Sequence, residues 1–109
     1  MSAPAPRSEC APDEPLFRDG AVVRKLLIFN RKGLHARASA KFVQMVEKFD
    51  ADVRVMRCGE TVGGTSIMGL MMLAAAPGTS ITIEATGRDA AEVIDALTAL
   101  INSRFGEDD

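Results

Sequence analysis

The feature of this chain that most restricts its fold is the order in which two apolar periodicities follow one another after residue 20. Alternation with a period of two marks half-buried strands, whereas recurrence at three and four residues marks amphipathic helices. Residues 22–29 read as a strand bounded by Gly20 and the loop 30–33. Phe42, Val43, Val46 and Phe49 share one face of a helix expected over 36–49. Val53 and Val55 point inward from a strand over 52–57, and Cys58-Gly59 supply a tight turn into a strand over 60–62. A short helix follows over 66–75 and is stopped by Pro77-Gly78; Ile81 and Ile83 then alternate with Thr82 and Glu84 in a strand over 79–85. The last helix, over 89–104, carries Val93, Ile94, Leu97, Leu100 and Ile101 as its buried stripe, with Asp89 and Glu92 placed to cap its start.

The order β-α-β-β-α-β-α predicts an α+β fold. A four-stranded antiparallel sheet with three helices on one face buries every apolar stripe in two layers and leaves the other sheet face more polar. A chain of 109 residues, 47% of them hydrophobic, has room for one modest core. Four of the five prolines fall before residue 16, so residues 1–20 are expected to form a disordered extension, 21–105 the domain, and 106–109 a short acidic tail. A net charge of −2 and five Phe with no Trp or Tyr give neither the electrostatic footprint nor the stacking surface of a nucleic-acid binder. No targeting signal or membrane span is expected, which places the chain in the cytoplasm. Cys10 and Cys58 lie far apart, one in the extension and one in a turn, and are expected to be incidental thiols rather than a disulfide.

The single histidine, His35, stands in Gly33-Leu34-His35-Ala36-Arg37, at the mouth of the first helix. An imidazole is a nucleophile available near neutral pH. At a helix start the first backbone N–H groups lack intrahelical acceptors and form a ready anion site. Arg37, two residues on, can add charge-assisted hydrogen bonds to phosphate oxygens. On chemistry alone His35 could equally be a plain helix cap.

The run Asn30-Arg31-Lys32-Gly33-Leu34-His35-Ala36-Arg37-Ala38-Ser39-Ala40-Lys41-Phe42, followed by Thr65-Ser66-Ile67-Met68-Gly69-Leu70-Met71, resembles the two signature segments of the HPr family, the histidine phosphocarriers of the bacterial phosphoenolpyruvate phosphotransferase system. The similarity spans about residues 22–105, with both segments in the family's order and separation. The resemblance implies the same open-faced sandwich. It also implies that His35 is phosphorylated on Nδ1 by Enzyme I, that Arg37 is its phosphate partner, and that a IIA-type protein accepts the group, the protein being a stoichiometric carrier rather than an enzyme, monomeric and without a cofactor. Many members have Pro-Ala after the arginine where this chain has Ala38-Ser39, a departure that leans towards a regulatory, nitrogen-type branch.

Ser66 precedes an apolar run and is expected to cap the second helix. The resemblance adds a regulatory phosphorylation there by a kinase/phosphorylase, and makes Ile67, Met68 and Met71 candidates for partner contact rather than core. Other motifs fail. Gly59-Glu60-Thr61-Val62-Gly63-Gly64-Thr65-Ser66 has P-loop spacing, but Thr65 stands where lysine is needed. One histidine and two distant cysteines make no metal site. Ser39 beside His35 has no positioned acid and is expected only to help hold a phosphate, through its hydroxyl or its backbone. The rival reading is a binding module that keeps the docking helix without transferring phosphate.

Overall fold

The computed structural model describes residues 17–73 and 75–106. Strand β1 (Val22–Leu27) leads to helix α1 (Ala36–Val46), and the hairpin β2 (Asp52–Arg57) and β3 (Glu60–Gly63) follows. Helix α2 (Ile67–Met72), strand β4 (Ser80–Thr86) and helix α3 (Ala90–Asn102) complete the order expected from the sequence. The strands form one antiparallel sheet in the order β1-β4-β2-β3, so β4 is central although it is the last strand in sequence.

Register decides which side chains meet the helices. Val53, Val55, Ile81, Ile83 and Ala85 are buried on one face and pack with Phe42, Val46, Leu70, Val93, Ile94, Leu97 and Ile101 in a continuous core. No helix among the described residues is long and apolar enough to cross a membrane.

Three helix ends differ from the periodicity. Helix α1 closes at Val46 rather than 49, because Lys48 N–H and Phe49 N–H donate to carbonyls three residues back, at Met45 and Val46, and tighten the last turn. Helix α2 stops at Met72 rather than 75, and Ala75 belongs instead to the loop that supports the histidine segment. Helix α3 ends at Asn102; Arg104 and Phe105 then take φ of 58° and 57°, a left-handed reversal that buries the Phe105 ring and lets Lys41 Nζ donate to the Phe105 carbonyl at 2.6 Å. Asp89 precedes α3 but makes no side-chain cap to it; its carboxylate accepts from Asp50 N–H at 2.8 Å and ties α3 to the β2 approach instead.

The largest departure is Glu84. Simple alternation puts it on the open face, and there it is, yet its side chain is 0% exposed. Arg54 Nε donates to it at 2.5 Å, Arg18 N–H at 2.6 Å and Arg18 Nε at 3.2 Å, while Arg18 also pairs with Asp52. Burial raises the pKa of such a carboxyl, but the bonds from Arg54 and then Arg18 outweigh it and hold Glu84 at about 2. Arg18, in the stretch expected to be a disordered leader, is therefore a structural residue. Cys58 is disulfide-bonded, contrary to the expectation of a free thiol, and Cys10 lies outside the described residues, as do the rest of 1–16 and the tail 107–109.

Candidate functional site

The segment that carries His35 is held from below by chain distant in sequence. Leu34 N–H donates to the Ala75 carbonyl at 3.0 Å, and the buried Asn30 reaches back with Nδ2 to the Gly33 carbonyl at 2.9 Å. Gly33 has φ +63°, and a Cβ there would lie 2.3 Å from the Ala75 carbonyl oxygen, so only glycine allows this approach. The loop is fixed by close backbone contact with Ala75 and by the buried Asn30 side chain.

His35 is the N-cap of α1, in extended conformation, with Ser39 N–H donating to its carbonyl at 2.8 Å as the first helical bond. The amides of Ala36, Arg37 and Ala38 thus precede the helix ladder. Arg37 N–H donates to His35 Nδ1 at 3.3 Å. An accepting Nδ1 carries a lone pair and no proton, and that lone pair is aimed across the helix mouth. Capping and nucleophilic readings of His35 therefore describe one geometry. The ring is half-buried while Arg31, Lys32 and Arg37 around it are exposed, giving an accessible, cationic corner.

Ser39 does not share in this corner. It is fully buried and its hydroxyl is turned to the Leu34 carbonyl at 3.4 Å, so the expectation that its hydroxyl helps hold a phosphate is corrected: it braces the loop from inside. Ser66 caps α2 as expected, its Oγ accepting from Gly69 N–H at 2.9 Å, and it is exposed. Leu70 alone of this helix enters the core; Ile67 (39% exposed), Met68 (70%) and Met71 (42%) face outward.

Three outward residues escaped the sequence reading. Met72, 71% exposed, extends the methionine surface of α2. Phe29 is exposed beside Asn30, and the Arg104 guanidinium sits 5.3 Å from its ring centre, bringing a further cation to the entrance of the His35 loop. Phe29 was absorbed into a strand and Arg104 into a helix by periodicity that the backbone does not follow; the Gly106 after Phe105 was the one local sign of a reversal.

A family model described as PTS HPr component phosphorylation site matches residues 22–103. The chain is 56% identical over 80 residues to the phosphocarrier protein HPr of Neisseria meningitidis, covering 73% of this chain and 90% of the relative. It is 51% identical over 84 residues to the HPr of Cupriavidus necator, covering 77% and 94%. Among solved structures, HPr-C-His from Thermoanaerobacter tengcongensis superposes with a TM-score of 0.76 at 40% identity, covering 80% of this chain and 98% of that one.

Proposed function

The chain belongs to the HPr family of phosphotransferase-system phosphocarriers, and from that membership we propose that His35 Nδ1 is the atom that carries the phosphoryl group. The observation that bears most on this reading is the hydrogen bond from Arg37 N–H to Nδ1, which leaves that nitrogen unprotonated and at the helix mouth.

In the proposed cycle, Enzyme I presents a phosphoryl group in line with the Nδ1 lone pair. The N–P bond forms as the bond to the donor breaks, and the donor keeps that electron pair. Arg37 N–H gives up Nδ1 and turns to a phosphate oxygen, joined by the Ala36 and Ala38 amides, while the Arg37 guanidinium neutralises charge from the exposed side. A histidine of a IIA-type protein, in a sugar-uptake or regulatory branch, then takes the group by the reverse displacement. The protein is consumed and regenerated as a carrier rather than acting as an enzyme, needs no cofactor, and works as a cytoplasmic monomer.

Ile67, Met68 and Met71, with Met72, form the docking surface that meets Enzyme I and the IIA acceptor in turn. Unbranched methionines suit a face that must fit more than one partner through small, transient contacts. Ser66, exposed at the head of the same helix, is where a kinase/phosphorylase would add a phosphate and set negative charge on that face.

Intact-mass analysis after incubation with phosphoenolpyruvate, magnesium and Enzyme I tests the carrier role. One acid-labile phosphoryl group is expected on the native chain and none on a folded His35→Ala variant. Equal labelling of the variant, or none of the native chain by a cognate Enzyme I, would move the binding-module reading into first place.

A further inference from the structure

The arginines among the described residues fall into two groups by their partners. Arg18, Arg24, Arg54 and Arg88 each pair with a carboxylate, and Arg57 donates to the Leu73 carbonyl at the end of α2. Arg31, Arg37 and Arg104 are exposed and have no carboxylate partner among the described residues. The first two belong to the histidine segment. Arg104 comes from the other end of the chain and is brought to the same segment by the fold.

The way it is brought there is specific. Arg104, Phe105 and Gly106 have φ of 58°, 57° and 72°, three left-handed residues in succession, and of these only the glycine adopts that region freely. Burial of the Phe105 ring and the bond from Lys41 Nζ to the Phe105 carbonyl hold the reversal against α1, the helix that His35 caps. The reversal sets the Arg104 guanidinium over the Phe29 ring, 5.3 Å from its centre. That ring has a fixed root. Ile28 before it is fully buried, with its N–H and carbonyl bonded to Thr79 and Gly78, and Asn30 after it is buried with Nδ2 on the Gly33 carbonyl. Both members of the stack are exposed, so it adds little to stability. Its effect is to restrict a long side chain with many rotamers, while the N–H edge of the guanidinium stays available to a further partner.

We propose that Arg104, restrained by Phe29, is a docking residue that receives a surface carboxylate of the protein seated over His35. The inference rests on the carrier reading of His35. In that reading a phosphoryl group on Nδ1 already meets the helix-mouth amides and Arg37, whereas Arg104 flanks the start of the loop, where a protein covering His35 also lies. Guanidiniums without carboxylates of their own, gathered at one corner, favour an acidic partner over a neutral one. A carboxylate can form two parallel bonds to a guanidinium, which fixes orientation as well as adding attraction. A charge at the rim of an interface acts on encounter and affinity rather than on the transfer step.

The test assays the full chain with Enzyme I and phosphoenolpyruvate, and titrates its affinity for Enzyme I by calorimetry in a His35→Ala background, where no transfer takes place. Arg104→Gln should raise both KM and the calorimetric Kd about fivefold at about 50 mM salt, leave kcat unchanged, and lose the effect at about 500 mM salt. Arg104→Lys should recover most of the affinity, and Phe29→Leu, which keeps the charge but removes the ring that places it, should cost about twofold. The melting temperature of Arg104→Gln should stay within about 2 °C of the native value. An unchanged Kd for Arg104→Gln would overturn the docking role, as would a loss of affinity that persists at high salt, or a fall in kcat with KM unchanged, which would put Arg104 on the transferring phosphoryl group instead. A native chain that takes no phosphate while the Kd difference holds would remove the carrier reading and leave the docking residue standing.

Discussion

His35 and Glu84 each accept hydrogen bonds from backbone amide and neighbouring arginine segments, one at a helix mouth and the other on the sheet face away from the helices. Around Glu84 the donors are committed: Arg18 and Arg54 supply N–H groups to a carboxylate with no exposed surface. Around His35 they are lent. Arg37 N–H makes a 3.3 Å contact with Nδ1, and the nearby cations are exposed. A fully satisfied buried anion stabilises a fold and is inert, whereas a nucleophile must keep donors that can be transferred to an incoming phosphate. The rigidity the histidine corner needs is supplied underneath it, by Gly33 against Ala75 and by the buried Asn30 and Ser39.

The substitution that should break this division most severely is Gly33→Ala. Its Cβ would meet the Ala75 carbonyl in a left-handed backbone, and equilibrium urea unfolding should show a loss of about 3 kcal/mol or more, with phosphoryl uptake falling as the His35 loop shifts. Glu84→Gln comes next. It leaves Arg18 and Arg54 without their carboxylate; because those side chains are about 30% exposed, the expected cost is about 2 to 3 kcal/mol, with transfer through His35 intact.

The same carboxylate sets an acid limb. Its pKa is lowered on folding from 4.5 to about 2, so its stabilisation is full above the unfolded value and is lost as pH falls between these two. Unfolding curves between pH 5 and pH 2 should show this loss, of order about 3 kcal/mol, and Glu84→Gln should flatten it. A limb of equal steepness in the variant would assign it to other carboxylates.

Smaller effects sharpen the comparison at α2. Ser66→Ala removes the bond to Gly69 N–H and should lower stability by about 1 kcal/mol, while Ser66→Asp, also a good cap, should restore stability and slow transfer from Enzyme I. Met68→Lys and Met72→Lys, at positions about 70% exposed, should change stability by less than about 0.5 kcal/mol but slow transfer from Enzyme I by about tenfold.

Much of this was legible in the sequence because it is local. The strands, the three helices, the caps at His35 and Ser66 and the core stripe of α3 follow from periodicity and cap chemistry within a few residues. What escaped depends on partners far along the chain. Glu84 looks like an ordinary outward residue until Arg18, 66 positions away, arrives over it. Asp89 looks like a cap until Asp50 claims its carboxylate. Arg104 ends the last helix on paper, but the chain reverses at Arg104 and Phe105 and buries the phenyl ring against the core. The histidine could be picked out as the candidate site, whereas the contacts that hold its loop could not, because Ala75 carries no sequence signal of its own.

Long-range nitrogen–proton NMR of the imidazole, recorded before and after phosphorylation by Enzyme I, tests the central claim most directly. The account predicts an unprotonated Nδ1 in the free protein, the phosphorus on that nitrogen afterwards, and large shifts of the Ala36, Arg37 and Ala38 amides. Phosphorus on Nε2, or on Nδ1 with those three amides unmoved, would contradict it.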